Sequence, residues 1–368
     1  MSPLRHRDFR LLLIATVAMM SGFALLLPVL PLWVIASGGG EAVAGATTGV
    51  FMASTVLAQL AVPAVVRVYG YKPALLLGTG LLGLPALLLP LADVSWAVLA
   101  ISLARGLGFG LVTVCGSALI AELLPKDAIA GGSGLYGLAT GLPQLIGLPA
   151  GAWLAQDWGF RPVFLIAAGI PLVSLAGVAL LPTVFPREGE RTRWLSTVAL
   201  IWRPWVVMLL GSVGYGALAT FLPIVLGGSG AIALLLVAGT AMVARWLAGV
   251  VGNRMVVAGR MLAPALVTVA VGLLGFAATT SNAPLAVLAV AVFGAGFGVV
   301  QNDALVVMFT RSPAGPASVV WNVAFDAGQG LGAVAVGAVV AGTSFGLAFA
   351  LLGALAAAAL PLLRRAVA

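Results

Sequence analysis

Charged side chains are scarce in this sequence. Asp, Glu, Lys and Arg make up 8% of 368 residues, 62% are hydrophobic, and the mean hydropathy is +1.18. A water-soluble domain of this length needs far more polar surface, so a soluble fold is excluded. Cys115 is the one cysteine, which rules out an internal disulfide, and His6 is the one histidine, near the N-terminus. A His- or Cys-based metal site is not expected. No G-x-x-x-x-G-K-[ST] run occurs, which argues against direct drive by ATP. Of eighteen basic residues only Lys72 and Lys126 are lysine, a bias expected of a GC-rich bacterial genome.

Long apolar runs fill the chain instead. A helix needs roughly 20 apolar residues to cross a hydrocarbon core, so twelve helices need about 240. The runs predict spans at residues 10–36, 43–66, 73–92, 96–123, 132–156, 162–181, 204–226, 231–252, 262–278, 284–309, 317–341 and 346–363, helices 1 to 12. With the N-terminus in the cytoplasm, Arg161 alone among the basic residues faces outward, and Arg105 and Arg245 lie within spans. The other fifteen of eighteen then face the cytoplasm. That asymmetry sets the orientation and accounts for the net charge of +8 without nucleic acid. The first run, with Pro28 and Pro31 inside it, is read as a retained helix rather than a cleaved signal.

The chain also repeats itself. Arg105–Pro125 lies on Phe293–Pro313 without a gap, at an offset of 188, so that Gly106, Gly108 and Gly110 fall on Gly294, Gly296 and Gly298. Gly22 with Leu30-Pro31 matches Gly214 with Leu222-Pro223, at an offset of 192. Helix 4 is thereby paired with helix 10, and helix 1 with helix 7. Six helices per half is an even number, so both halves enter the membrane from the same side. The expected fold is all-α: twelve transmembrane helices as two parallel six-helix repeats, both termini cytoplasmic. Residues 1–185 and 204–368 form the halves and 186–203 the linker, with Trp194–Trp202 either a short interfacial helix or a loop. Transporters of this layout bind substrate between their repeats near the bilayer midplane.

Further motifs sharpen the comparison. Between helices 2 and 3 the sequence reads Pro63-Ala-Val-Val-Arg67-Val-Tyr-Gly70-Tyr-Lys72, and after helix 8 it reads Gly249-Val-Val-Gly-Asn253-Arg254. Helix 4 carries Arg105-Gly-Leu-Gly-Phe-Gly110, and helix 5 carries Gly137, Gly141, Gly147, Pro149 and Gly151. Over nearly its whole length the chain resembles the major facilitator superfamily. The loops are similar to its G-x-x-x-D-R-x-G-R-R motif, with Arg67 and Asn253 at the acidic positions. Arg105 resembles its intramembrane arginine, and helix 5 the Gly/Pro-rich motif of its proton-coupled exporters. The resemblance implies gating roles for Gly70, Lys72, Gly147, Pro149, Gly151, Asn253 and Arg254. Gly and Pro at 147–151 also have a structural reading, since Gly lets helices approach closely and Pro kinks them.

Away from the span ends, four charged residues lie within spans: Arg105, Arg245, Asp303 and Asp326. None falls in helices 3, 6, 9 or 12, which the resemblance makes peripheral. A charge at bilayer depth is costly and faces the protein interior. At 1.5 Å per residue, Arg105 and Asp326 each lie about 14 Å from the nearer end of their spans, near the middle of the core. Asn322, Asp326 and Gln329 share one helical face, beside Trp321 and Phe325. A carboxylate between apolar surroundings and a guanidinium can take up and release protons. Asp326 is thus expected as the coupling acid, Arg105 as the group biasing its charge, and Asp303 with Arg245 as a second pair. Static ion pairs holding helices together are the alternative reading.

Phe23, Tyr136, Tyr215, Phe221, Trp321 and Phe325 are expected to face the substrate, with Gln144, Gln301, Asn302, Asn322 and Gln329 as polar partners. So apolar a site suits small lipophilic or amphipathic compounds. The expected function is their proton-coupled export by alternating access from the inner membrane of a bacterium, by a monomer among lipids, with no cofactor beyond the proton gradient. Helix 1 lacks the acid that many such exporters carry, so an uncoupled facilitator or an importer of a metabolite or sugar stays open. An intramembrane lipid-modifying enzyme is the remote alternative: the acids do not pair at short spacing, and no membrane histidine or catalytic serine motif occurs.

Overall fold

The computed structural model describes residues 3–92, 94–125, 128–186, 194–252, 259–312 and 314–363, which form helices and short connections and, among the described residues, no strand. In hydrocarbon each backbone N–H and C=O must be satisfied within the chain, and a helix does this for every apolar run. Twelve long helices result: α1 Arg7–Ala36, α2 Glu41–Tyr69, α3 Tyr71–Gly83, α4 Ser95–Leu123, α5 Ile129–Asp157 and α6 Phe160–Ala179, then α7 Trp194–Leu226, α8 Gly230–Gly252, α9 Leu262–Thr279, α10 Ala283–Arg311, α11 Ala314–Val340 and α12 Phe345–Ala358. Among the described residues ten stretches are long and apolar enough to cross a membrane, one of which, Val198–Gly252, holds α7 and α8 together. Polar caps start two of the helices: Asn282 Oδ1 accepts from Leu285 N, and Ser344 Oγ from Leu347 N.

Two spans differ from expectation. The third was read as one run, but α3 stops at Gly83 and Pro85–Leu91 continues as a 3-10 helix. Pro85 has no N–H to return to the preceding turn, so the α pattern cannot pass through it. The seventh helix starts at Trp194, ahead of the expected residue 204, with its backbone broken at Ile201 (φ −118°, ψ 18°) before Pro204.

The chain forms two compact units, Met1–Ser37 with Val50–Glu190, and Gly38–Gly49 with Arg191–Ala368. In the first, α1 packs on α5 and α6, and α3 on α4 and α6. In the second, α7 packs on α11, and α9 on α10 and α12, the same pairings six helices later. The repeated glycines explain the agreement. A Cβ at Gly106 or Gly110 would strike the backbone carbonyls of Phe51 or Thr55 in α2, and one at Gly108 would strike Gly78 and Leu82 in α3. Their counterparts do the same work: Gly294 and Gly298 lie on Val237 and Ala241 of α8, and Gly296 on Ala265 and Val269 of α9. One G-x-G-x-G run thus clamps a helix to two neighbours at once.

Candidate functional site

Arg105 sits on α4 of the first unit, 2% exposed. Its Nε donates to Leu82 O at 3.2 Å and its Nη2 to Gly22 O at 3.4 Å, and its guanidinium lies 5.5 Å from the centroid of Phe51. Leu82 O is among the last carbonyls of α3, those that a helix end leaves without a partner. A cation there also meets the negative end of the helix dipole. Arg105 therefore caps the helix that Pro85 terminates. Asp326 belongs to the other unit, and the described contacts of Arg105 all lie within its own.

Phe23 stacks on Phe109 at 4.2 Å, with Phe51 5.4 Å from each. Tyr136 packs over Gly116 with its hydroxyl near Thr16. Gln144 Nε2 donates to Thr140 O of its own helix at 3.2 Å. Gly147 and Gly151 lie against Ala24 and Leu25 of α1, a tight seam beside Pro149, which is half-buried. Gly70 takes φ +81° in the turn from α2 to α3, under Val184 O, and Lys72 is half-buried one residue beyond Tyr71. Asn253 and Arg254, the matching gating residues after α8, lie outside the described residues.

In the second unit the pair Phe23–Phe109 is repeated by Tyr215–Phe297, 5.1 Å apart and tilted by 22°. The stack then grows. Phe297 lies 6.2 Å from Phe325 at 12°, and Phe325 lies 5.5 Å from Trp321 at 8°. Arg245 of α8 lies over the Trp321 ring, 5.4 Å from its centroid, and donates from Nη1 to Gln301 Oε1 at 3.1 Å. Trp321 Nε1 donates to Gln301 O at 3.2 Å, so α8, α10 and α11 meet at one residue. Phe109 and Phe297 were not among the expected residues, although both lie inside the repeated glycine run.

Asp326 and Gln329 are buried, 4% and 1% exposed, and Asn322 is half-buried with Nδ2 donating to Ser318 O at 2.9 Å. Gln329 Oε1 meets no donor among the described residues. Buried side-chain acceptors are nearly always satisfied, so this one points to a missing partner. Asn302 is half-buried against Gly249 of α8.

Two expectations are corrected. Asp303 does not pair with Arg245: it accepts from Met261 N at 3.0 Å and Gly259 N at 3.4 Å, holding the turn that leads into α9. Loop N–H donors are as good a partner for a buried carboxylate as a cation, and they carry no side-chain signature. Phe221 does not join the stack. It is fully buried, 5.5 Å from Phe345 of α12 and against Gly45.

A family model described as Major Facilitator Superfamily matches residues 12–319. An uncharacterized MFS-type transporter of Mycobacterium tuberculosis, Rv1250, is 24% identical over 200 residues, 48% of this chain and 34% of its own. The inner membrane transport protein YdhP of Escherichia coli O157:H7 is 29% identical over 255 residues, 65% of this chain and 63% of its own. The chain thus spans less than two thirds of the length of either relative. Among solved structures, the xylose transporter XylE from E. coli superposes with a TM-score of 0.78 at 12% identity, over 97% of both chains. A mutant of the nucleoside transporter NupG gives 0.77 at 13%, over 97% of this chain and 99% of its own. At such identities the likeness is one of fold.

Proposed function

The chain belongs to the Major Facilitator Superfamily, a multi-pass membrane transporter and not an enzyme, and from that premise we propose that it exports small lipophilic or amphipathic compounds in exchange for protons. Asp326 carries the reading: a carboxylate buried within a membrane span, next in sequence to Phe325 of the four-ring stack. Gln329 Oε1 lies one turn on along the same face, an acceptor without a donor among the described residues. A proton on Asp326, or an N–H or O–H of the substrate, would supply that donor, which makes the two events alternatives at one place. Phe325, the half-buried ring of the stack, offers apolar surface to the rest of the molecule. By the positive-inside asymmetry both termini lie in the cytoplasm, and the relatives' sources favour a bacterial inner membrane.

Reconstituted protein should drive a lipophilic dye against its gradient when a pH gradient is imposed. Asp326→Asn should abolish that pumping while leaving dye-for-dye exchange intact, because exchange needs binding without deprotonation. Full pumping by Asp326→Asn would rule the coupling out. An uncoupled facilitator is the second reading, favoured by the lack of any Asp or Glu in α1 beyond Asp8. It predicts exchange and downhill flux that ignore the pH gradient in the unmodified protein.

A further inference from the structure

We infer that Arg245, with Gln301 and Trp321, forms an anion-binding subsite, and that the transported compounds carry a carboxylate or similar acid group on an aromatic or lipophilic body. This rests on the transport reading above and narrows its substrate class.

A guanidinium within a membrane span is costly and needs compensation. Arg245 has none of the usual kind. Among the described residues its partners are a neutral amide, Gln301 Oε1, and a neutral ring, Trp321, with no carboxylate among them. Asp303, two residues from Gln301 on α10, is committed to the backbone of Gly259 and Met261. Among the described residues the positive charge is thus held in place but not neutralised. Its side chain keeps exposed surface while it contacts α10 through Gln301 and α11 through Trp321, so it is accessible to a further partner.

The donors there outnumber the acceptors. The guanidinium has five N–H groups, one of which is used by Gln301. With its Oε1 engaged, Gln301 keeps its amide NH2 as a further donor beside the cation. Trp321 supports the guanidinium from one side, and the N–H groups that Gln301 does not use remain for contact with a carboxylate. From Trp321 the parallel rings of Phe325, Phe297 and Tyr215 lead away from the charge. Of these rings Phe325 is half-buried and the others are buried, and an acid group at one end of an apolar molecule matches that neighbourhood of guanidinium and accessible ring. A lipid phosphate has the same charge chemistry, and the experiment separates the two.

The test is equilibrium binding of radiolabelled 1-naphthoate and of its neutral analogue 1-naphthamide to the full chain in phosphatidylcholine nanodiscs. Naphthoate should bind about tenfold more tightly or better, since a charged hydrogen bond adds at least that much. The preference should vanish in Arg245→Ala and persist in part in Arg245→Lys. Gln301→Glu keeps the arginine but sets a carboxylate against it, and should abolish naphthoate binding in protein that stays monodisperse. Equal binding of the two probes, no binding of naphthoate, or an undiminished preference in Gln301→Glu would overturn the subsite. Loss of naphthoate binding on adding phosphatidylglycerol, with Arg245→Ala releasing that lipid, would assign the site to a headgroup and overturn the substrate claim. Proton-driven transport of naphthamide without a preference for naphthoate would sink this inference alone. Naphthoate binding without gradient-driven flux would sink only the exporter reading.

Discussion

At the scale of the residue, the buried cation of the first unit acts on backbone. Arg105 donates to Leu82 O and Gly22 O, tying the end of α3 to α1. The repeat shows what that site needs when no helix end has to be capped. Phe293 stands at the counterpart of Arg105, packed on Gly214 and Gly272, and α9 beneath it runs through to Thr279 without a proline break. Arg105→Met should therefore lower stability by about 1.5–3 kcal/mol, the range for a lost hydrogen bond to a charged donor. In the protein that survives, the pH dependence of transport should be unchanged. Thermal unfolding in detergent and a pH profile in liposomes check both halves of that statement, and a displaced profile would restore Arg105 to the proton path. The sequence showed that Arg105 and Asp303 were anomalous but not what they bind. Both take backbone partners, and a carbonyl or an N–H looks the same in every residue, so no pattern of letters marks it.

At the scale of the element, the helices were legible because apolar runs of sufficient length have one stable form in hydrocarbon. The break in α3 was also written in the sequence, at Pro85, but an apolar run of the right length concealed it. The helix that starts at Trp194 was legible only as one of two readings, a short interfacial helix or a loop, since so short a helix needs no long apolar run. Glycine is where residue type and packing part company. Gly110 has Thr55 O, Ala58 Cβ and Gln59 N within reach of any added carbon, whereas a Cβ at Gly137 would meet nothing within 4 Å. Gly110→Val should push α4 off α2 and leave little folded protein. Gly137→Ala should leave folding intact and gain about 0.5–1 kcal/mol from helix propensity. Yield of monodisperse protein and its melting temperature separate the two. A loss at Gly137 as severe as that at Gly110 would give that face of α5 a packing role the structure does not show.

At the scale of the whole molecule, the repeat was the most legible feature, because three glycines at one spacing make the same contacts in each half. The membership of residues 38–49 in the second unit was not legible, since the division falls inside the unbroken helix α2. Thr48 Oγ1 and Thr220 Oγ1 share a hydrogen bond of 3.0 Å there, and Gly45 and Gly49 lie against Ala333 and Val334 of α11. Those contacts depend on the fold, and no run of residues announces them. A parallel repeat makes a stronger demand on topology than helix number does. The connection between α1 and α2 and its counterpart between α7 and α8 must open on the same side of the membrane. Inverted halves would put them on opposite sides. Cys115 is buried, so Cys115→Ser gives a background free of cysteine. Gly40 and Gly228 are exposed and have nothing within 4 Å of an added Cβ. Gly40→Cys and Gly228→Cys should both react with a membrane-impermeant maleimide added to intact cells. Thr183→Cys, in the exposed segment after α6, should react only once the membrane is opened. Labelling of residue 40 without residue 228 would mean that the halves are inverted. Labelling of residue 183 alone in intact cells would turn the whole chain over and place its basic loops outside, against the asymmetry that orients it.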